Sequence, residues 1–125
     1  MAEISVVVPT YNRADLLKAT LDSILGQTRM PDEVIVVDDG STDDSVDVLA
    51  GYGAAVTCIR STNGGPLVSR NIGVRAARGG LVAFCDSDDL WHPEFLATME
   101  QAFQAAPGVA AAYANFNILH EGQLS

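Results

Sequence analysis

Short, uninterrupted apolar runs alternate along this chain with longer stretches in which apolar side chains recur every three or four positions. Residues 4–8, 34–37 and 81–85 form the runs. They are continuous rather than alternating, which is the pattern of a strand buried on both faces, as in a parallel sheet. Residues 55–60 give a further strand. Residues 13–27 place Leu16, Leu17, Leu21, Ile24 and Leu25 on one helical side, with Asn12 as N-cap. Ser41 or Thr42 can cap a second helix carrying Val46, Leu49 and Ala50, with Ser41 and Asp44 as a capping box and Gly51 and Gly53 near its end. The turn 63–66 opens a third helix to about residue 77. Pro93 suits the first position of a fourth, ending near residue 106, and residues 109–116 form a last strand-like stretch.

Strict alternation of strand and helix implies right-handed crossovers and hence a three-layer, mainly parallel, Rossmann-like α/β domain. Such sheets bind ligands beyond the carboxyl ends of their strands, near a switch in strand order. The loops of interest are therefore 9–13, 38–44, 60–66 and 86–92.

Composition narrows the function. The 125 residues suffice for one domain, 48% are hydrophobic, and the formal net charge is −9 with only seven Lys and Arg. That balance argues against nucleic acid, whose binding rests on cations that neutralise phosphates, and against docking on anionic lipid. Cys58 and Cys85 are isolated within apolar runs and read as buried free thiols, which fits a cytoplasmic setting. The chain has no C-x-x-C spacing of a zinc site.

Two apolar runs end in acid. Residues 81–85 stop at Asp86-Ser87-Asp88-Asp89, and residues 34–37 run into Asp38-Asp39-Gly40-Ser41. Crowded carboxylates repel unless a cation sits between them, and Mg²⁺ or Mn²⁺, which take oxygen ligands and keep phosphate oxygens, suit that position. A metal-held phosphorylated ligand is the expectation.

Four segments together resemble a known family. They are Val6-Val7-Val8-Pro9-Thr10-Tyr11-Asn12-Arg13, Val36-Val37-Asp38-Asp39-Gly40-Ser41-Thr42-Asp43, Ser69-Arg70-Asn71-x-Gly73 and Phe84-Cys85-Asp86-Ser87-Asp88-Asp89. In this order, each at an expected strand end or helix start, they look like family 2 glycosyltransferases of the GT-A fold over residues 4–118. The resemblance implies a Mn²⁺- or Mg²⁺-assisted transfer, with inversion, from a nucleotide-diphosphate sugar to an acceptor hydroxyl. It makes Asp88 the principal metal ligand and gives Asp86 the metal or the donor ribose. Asp39 would accept the imide N–H of a uracil or thymine base, which favours a UDP-sugar. Pro9, Thr10 and Tyr11 would line the base pocket, Tyr11 stacking on the ring. Arg70 would face the nucleotide, and Arg13 and Ser87 belong to the same donor-binding set. Trp91 is expected to pack beside that site, His92 to cap a helix, and Asp38, Asp43 and Asp44 to be structural or solvated.

A phosphoacceptor receiver-type signalling domain has similar length, acidity and alternation. It needs an acidic pair after its first strand and a lysine after its fifth, whereas the only lysine here, Lys18, lies in the first helix. Calcium-loop spacing fails because Ala50 or Ala97 stands where the bidentate Glu belongs. No residue after Asp89 is a credible base for an acceptor hydroxyl: Glu94 and Glu100 fall on a helix and Glu121 in a polar tail. The expectation is therefore that residues 1–125 are the single nucleotide-sugar-binding domain forming the N-terminal part of a longer glycosyltransferase. Its catalytic base would lie beyond residue 125, and the isolated chain would have little or no activity. Full length, the protein is expected in the cytoplasm at the inner face of the membrane. Its acceptor (glycan, lipid-linked sugar or polysaccharide) is not legible. A sheet edge left unpaired near Phe116 would favour a homo-oligomer.

Overall fold

The structure, a computed structural model, describes residues 3–62, 64–106, 108, 119–120 and 123–124. The expected alternation is there: β1 (Ile4–Thr10), α1 (Ala14–Leu25), β2 (Glu33–Asp38), α2 (Ser45–Ala50), β3 (Thr57–Arg60), α3 (Gly65–Ala76), β4 (Leu81–Phe84) and α4 (Phe95–Ala105). β5 (Leu119–His120) and β6 (Gln123–Leu124) form a short antiparallel pair that the sequence pattern did not reveal. The strand-like stretch 109–116, and the sheet edge expected near Phe116, lie outside the described residues.

The four-stranded sheet runs β3-β2-β1-β4 and is parallel throughout. Chain order reverses between β1 and β4, so the crevice above these strand ends is where a ligand fits. β1 and all of β2 after Glu33 are buried, as continuous apolar runs demand. Val6, Val8, Val34 and Val36 pack with Leu17, Leu21 and Ile24 of α1 and with Leu96 of α4. On the opposite face α3 lies so close to β1 that a Cβ at Gly73 would stand 2.3 Å from Val7 Cγ1.

Several boundaries differ from expectation for identifiable reasons. Pro9 does not end β1, which continues to Thr10 along β2. Pairing with β4 instead stops after Val7 accepts from Cys85 N–H, because the next rung would need the N–H that Pro9 lacks. β4 is not buried on both faces: Leu81, Val82 and Ala83 are half-buried and Phe84 is exposed, since no further strand covers that edge among the described residues. β3 begins at Thr57, residues 53–55 forming a 3-10 turn. Pro93 precedes α4 rather than opening it. Cys58 is exposed and only Cys85 is buried.

Candidate functional site

The loop after β1 is locked to the loop after β2 rather than to the helix it precedes. Asn12 is not the N-cap of α1. It takes a left-handed φ of 50°, its Oδ1 accepts from the N–H groups of Thr42 (2.8 Å) and Asp43 (3.3 Å), and its own N–H donates to Ser41 Oγ (2.9 Å). Asp43 reciprocates, accepting from Ala14 N–H at the start of α1. The Ser41–Asp44 capping box does not form; Asp43 Oδ1 serves the start of α2 by accepting from the N–H and hydroxyl of Ser45. Asp38 is structural, its Oδ1 accepting from the N–H of Ser41, three residues on, at 3.0 Å. These bonds hold Tyr11 and Arg13, the neighbours of Asn12, at the mouth of the strand ends.

Asp39 has a second task. Its N–H donates to Thr10 C=O, and its carboxylate accepts from the N–H groups of Gly64 (2.8 Å) and Gly65 (2.9 Å). An anion does sit at the start of α3, and it is the protein's own side chain. Gly65, at φ 87°, adopts the backbone that this approach requires.

The result is an open cleft of about 270 Å³ at the carboxyl end of the sheet. It is lined by Pro9, Thr10, Tyr11 and Arg13 from β1 and its loop, by Asp39, by Arg70, and by Asp86, Ser87 and Asp88 from the loop after β4. Every residue singled out from the sequence as donor- or metal-binding thus borders one space. Pro66 and Ser69 border it too and were missed. Helical spacing could have found them: Arg70 is four residues after Pro66, and residues three and four apart share a face.

Two arginines meet the acidic loop. Arg70 Nη2 stands 2.8 Å from Asp86 Oδ1, and Arg13 Nη2 stands 3.9 Å from Asp88 Oδ2, all four side chains being well exposed. Behind them charge is crowded. The Asp89 carboxyl is pushed up, first by burial and then by the charges of Asp88 and Asp86. The Cys85 thiol, buried and beside all three acids, is raised far out of the reactive range. Among the described residues no three His, Cys, Asp or Glu side chains converge as a metal cluster. The donors on offer are the carboxylates of Asp86 and Asp88. That set suits an ion bound through one or two carboxylates and completed by phosphate oxygens, and does not suit an all-protein cage.

Trp91 is not at the cleft. Its ring packs on Phe95 with centroids 4.7 Å apart and against the core, and the backbone N–H of Trp91 donates to Ser23 Oγ. His92 does act at a helix start, its Nδ1 accepting from Glu94 N–H at 3.2 Å. Glu100 pairs with Arg29 at 3.0 Å and does not border the cleft.

A parallel sheet in this order, with polar side chains gathered over its reversal point, defines a Rossmann-like α/β ligand-binding domain. Residues 5–121 match the family described as Glycosyl transferase family 2. An uncharacterised glycosyltransferase of Haemophilus influenzae is 38% identical over 122 residues, 95% of this chain and 41% of its own length. S. aureus TarS in complex with UDP-GlcNAc superposes with a TM-score of 0.76 at 29% identity, over 95% of this chain and 38% of that one. The mannosyltransferase PcManGT from Pyrobaculum calidifontis, in complex with GDP-Man and Mn²⁺, gives a TM-score of 0.80 at 32% identity, over 86% and 34%. The chain belongs to glycosyl transferase family 2, and its structural neighbours are GT-A transferases. It spans well under half the length of the curated relatives it matches. The receiver-domain reading finds no support. No helix among the described residues is long and apolar enough to cross a membrane.

Proposed function

We propose that this domain binds the donor of a metal-assisted, inverting glycosyltransferase, with a UDP-sugar as that donor and an acceptor hydroxyl as the recipient. The observation that carries the reading is the gathering of Tyr11, Asp39, Arg70, Asp86 and Asp88, drawn from four separate segments, around one cleft at the strand ends. The neighbours bound to UDP-GlcNAc and to GDP-Man with Mn²⁺ support it.

In this reading Tyr11, 46% exposed at the cleft, offers its ring face to the base. Asp39 accepts the imide N–H; its two oxygens carry one backbone N–H each, and a carboxylate has about four acceptor sites, so capacity remains. Pro9 and Thr10 close the pocket behind the base. Arg70 and Arg13 leave the acidic loop for the diphosphate. That exchange is cheap because exposed ion pairs are worth about 0–1 kcal/mol. Asp86 and Asp88, so released, hold Mn²⁺ or Mg²⁺, with Ser87 between them in the same wall. When bound, the ion stabilises negative charge on the departing diphosphate. We assign no base among the described residues, since Glu94 and Glu100 do not border the cleft.

Calorimetric titration with UDP, GDP and dTDP, with and without Mn²⁺, tests the reading. UDP should bind best and only with Mn²⁺, and Asp88→Asn should weaken it roughly tenfold or more, as expected for a charged contact. Equal, metal-independent binding of all three would overturn it.

A further inference from the structure

We propose that Ser69 is a donor-binding residue whose hydroxyl hydrogen-bonds the nucleoside diphosphate. The inference rests on the donor-binding reading and adds to it a contact from α3. Ser69 borders the cleft, is 1% exposed, and its Oγ has no hydrogen-bond partner. A serine inside a helix ordinarily bonds back to a carbonyl one turn earlier or turns to water, and Ser69 does neither. Only Thr10 Oγ1 and Asp38 Oδ2 share this condition among the described residues, and Thr10 borders the same cleft. An orphaned buried hydroxyl raises the energy of the free fold, whereas a methyl group in its place would not. Two such hydroxyls on residues that border one cleft are accounted for by a polar ligand that both meet once they turn toward it.

The backbone holds Ser69 in place. Asp39 fixes the start of α3 through Gly64 and Gly65, and the contact of Gly73 with Val7 fixes the turn that follows. Ser69 therefore cannot be drawn away from the cleft, but rotation about its single χ1 bond re-aims the hydroxyl. Its neighbour Arg70 favours an anionic partner, which selects the diphosphate over an uncharged sugar.

Ser69→Ala separates this from a packing role. UDP affinity in Mn²⁺, measured by calorimetry, should fall about five- to tenfold, the worth of one hydrogen bond. The melting temperature of the free protein should stay the same or rise. Unchanged UDP affinity overturns the inference and leaves the donor-binding reading standing. Affinity and melting temperature falling together overturn it in favour of a structural serine. Wild-type protein that binds no nucleotide overturns the donor-binding reading itself, and this contact with it.

Discussion

Asn12 illustrates how one side chain sets a site it does not line. An amide in the left-handed region that also accepts two backbone N–H groups does work that neither alanine nor glycine can do alone. Asn12→Ala should lose about 2 kcal/mol, combining the lost acceptor with the strained φ. Asn12→Gly keeps the φ and should lose about half as much. Urea unfolding of both, with UDP titration alongside, checks the order. Binding should fall in the same order, because Tyr11 and Arg13 flank the residue that moves. Asp39 is a parallel case. It was legible in the sequence as an acid at a strand end, but its hold on Gly64 and Gly65 joins residues 25 and 26 positions apart, and no local pattern carries that.

At the scale of elements, the decisive contact is α3 on β1. Gly73 lets the helix approach until its Cα nearly touches Val7, and this closeness brings Ser69 and Arg70 to the cleft. Alanine is the better helix former by about 1 kcal/mol, yet Gly73→Ala should destabilise by about 1–3 kcal/mol because the overlap is with a buried, branched side chain. Combining it with Val7→Ala, whose freed space takes the new methyl, should cost less than the two single changes added together. Urea unfolding across the four proteins measures that coupling. β4 marks the opposite limit. Its run of apolar residues predicts a doubly buried strand, but burial depends on what lies beside it, and β4 stands at the edge of the described sheet.

For the whole molecule, acid stability follows from carboxylates that serve the backbone. The Asp32 carboxyl is held low, first by Ile4 N–H and then by Arg29; that of Glu33 is held low by the Ser5 hydroxyl and then by Arg78 N–H. Both values are depressed in the fold, so their stabilisation is complete above the ordinary values of 3.8 and 4.5 and is lost as pH falls below them. Stability to urea should therefore be flat from neutrality to about pH 5 and fall beneath it. Glu33→Gln should be less stable at pH 7 and show a shallower fall in acid. These two acids join β1 to β2 and to the turn before β4, so the dependence reports on the sheet and not on the cleft.

The sequence by itself determined the α/β class, the order of the elements through α4 and the two acidic strand ends. Each of these follows from local chemistry: hydrophobic period, turn residues, and acids placed where apolar runs stop. The resemblance to the family, and no local rule, pointed to Pro9, Thr10, Tyr11, Arg13, Arg70 and Ser87 at the cleft. Tertiary structure alone decided which acids serve the backbone and which face the cleft, where β4 sits in the sheet, and that Trp91 belongs to the core. It also decided that Pro66 and Ser69 join the site. The physical reason is that a side chain's partners are set by what the fold brings within about 3 Å, the reach of a hydrogen bond. In a parallel sheet those partners arrive from crossovers distant in sequence.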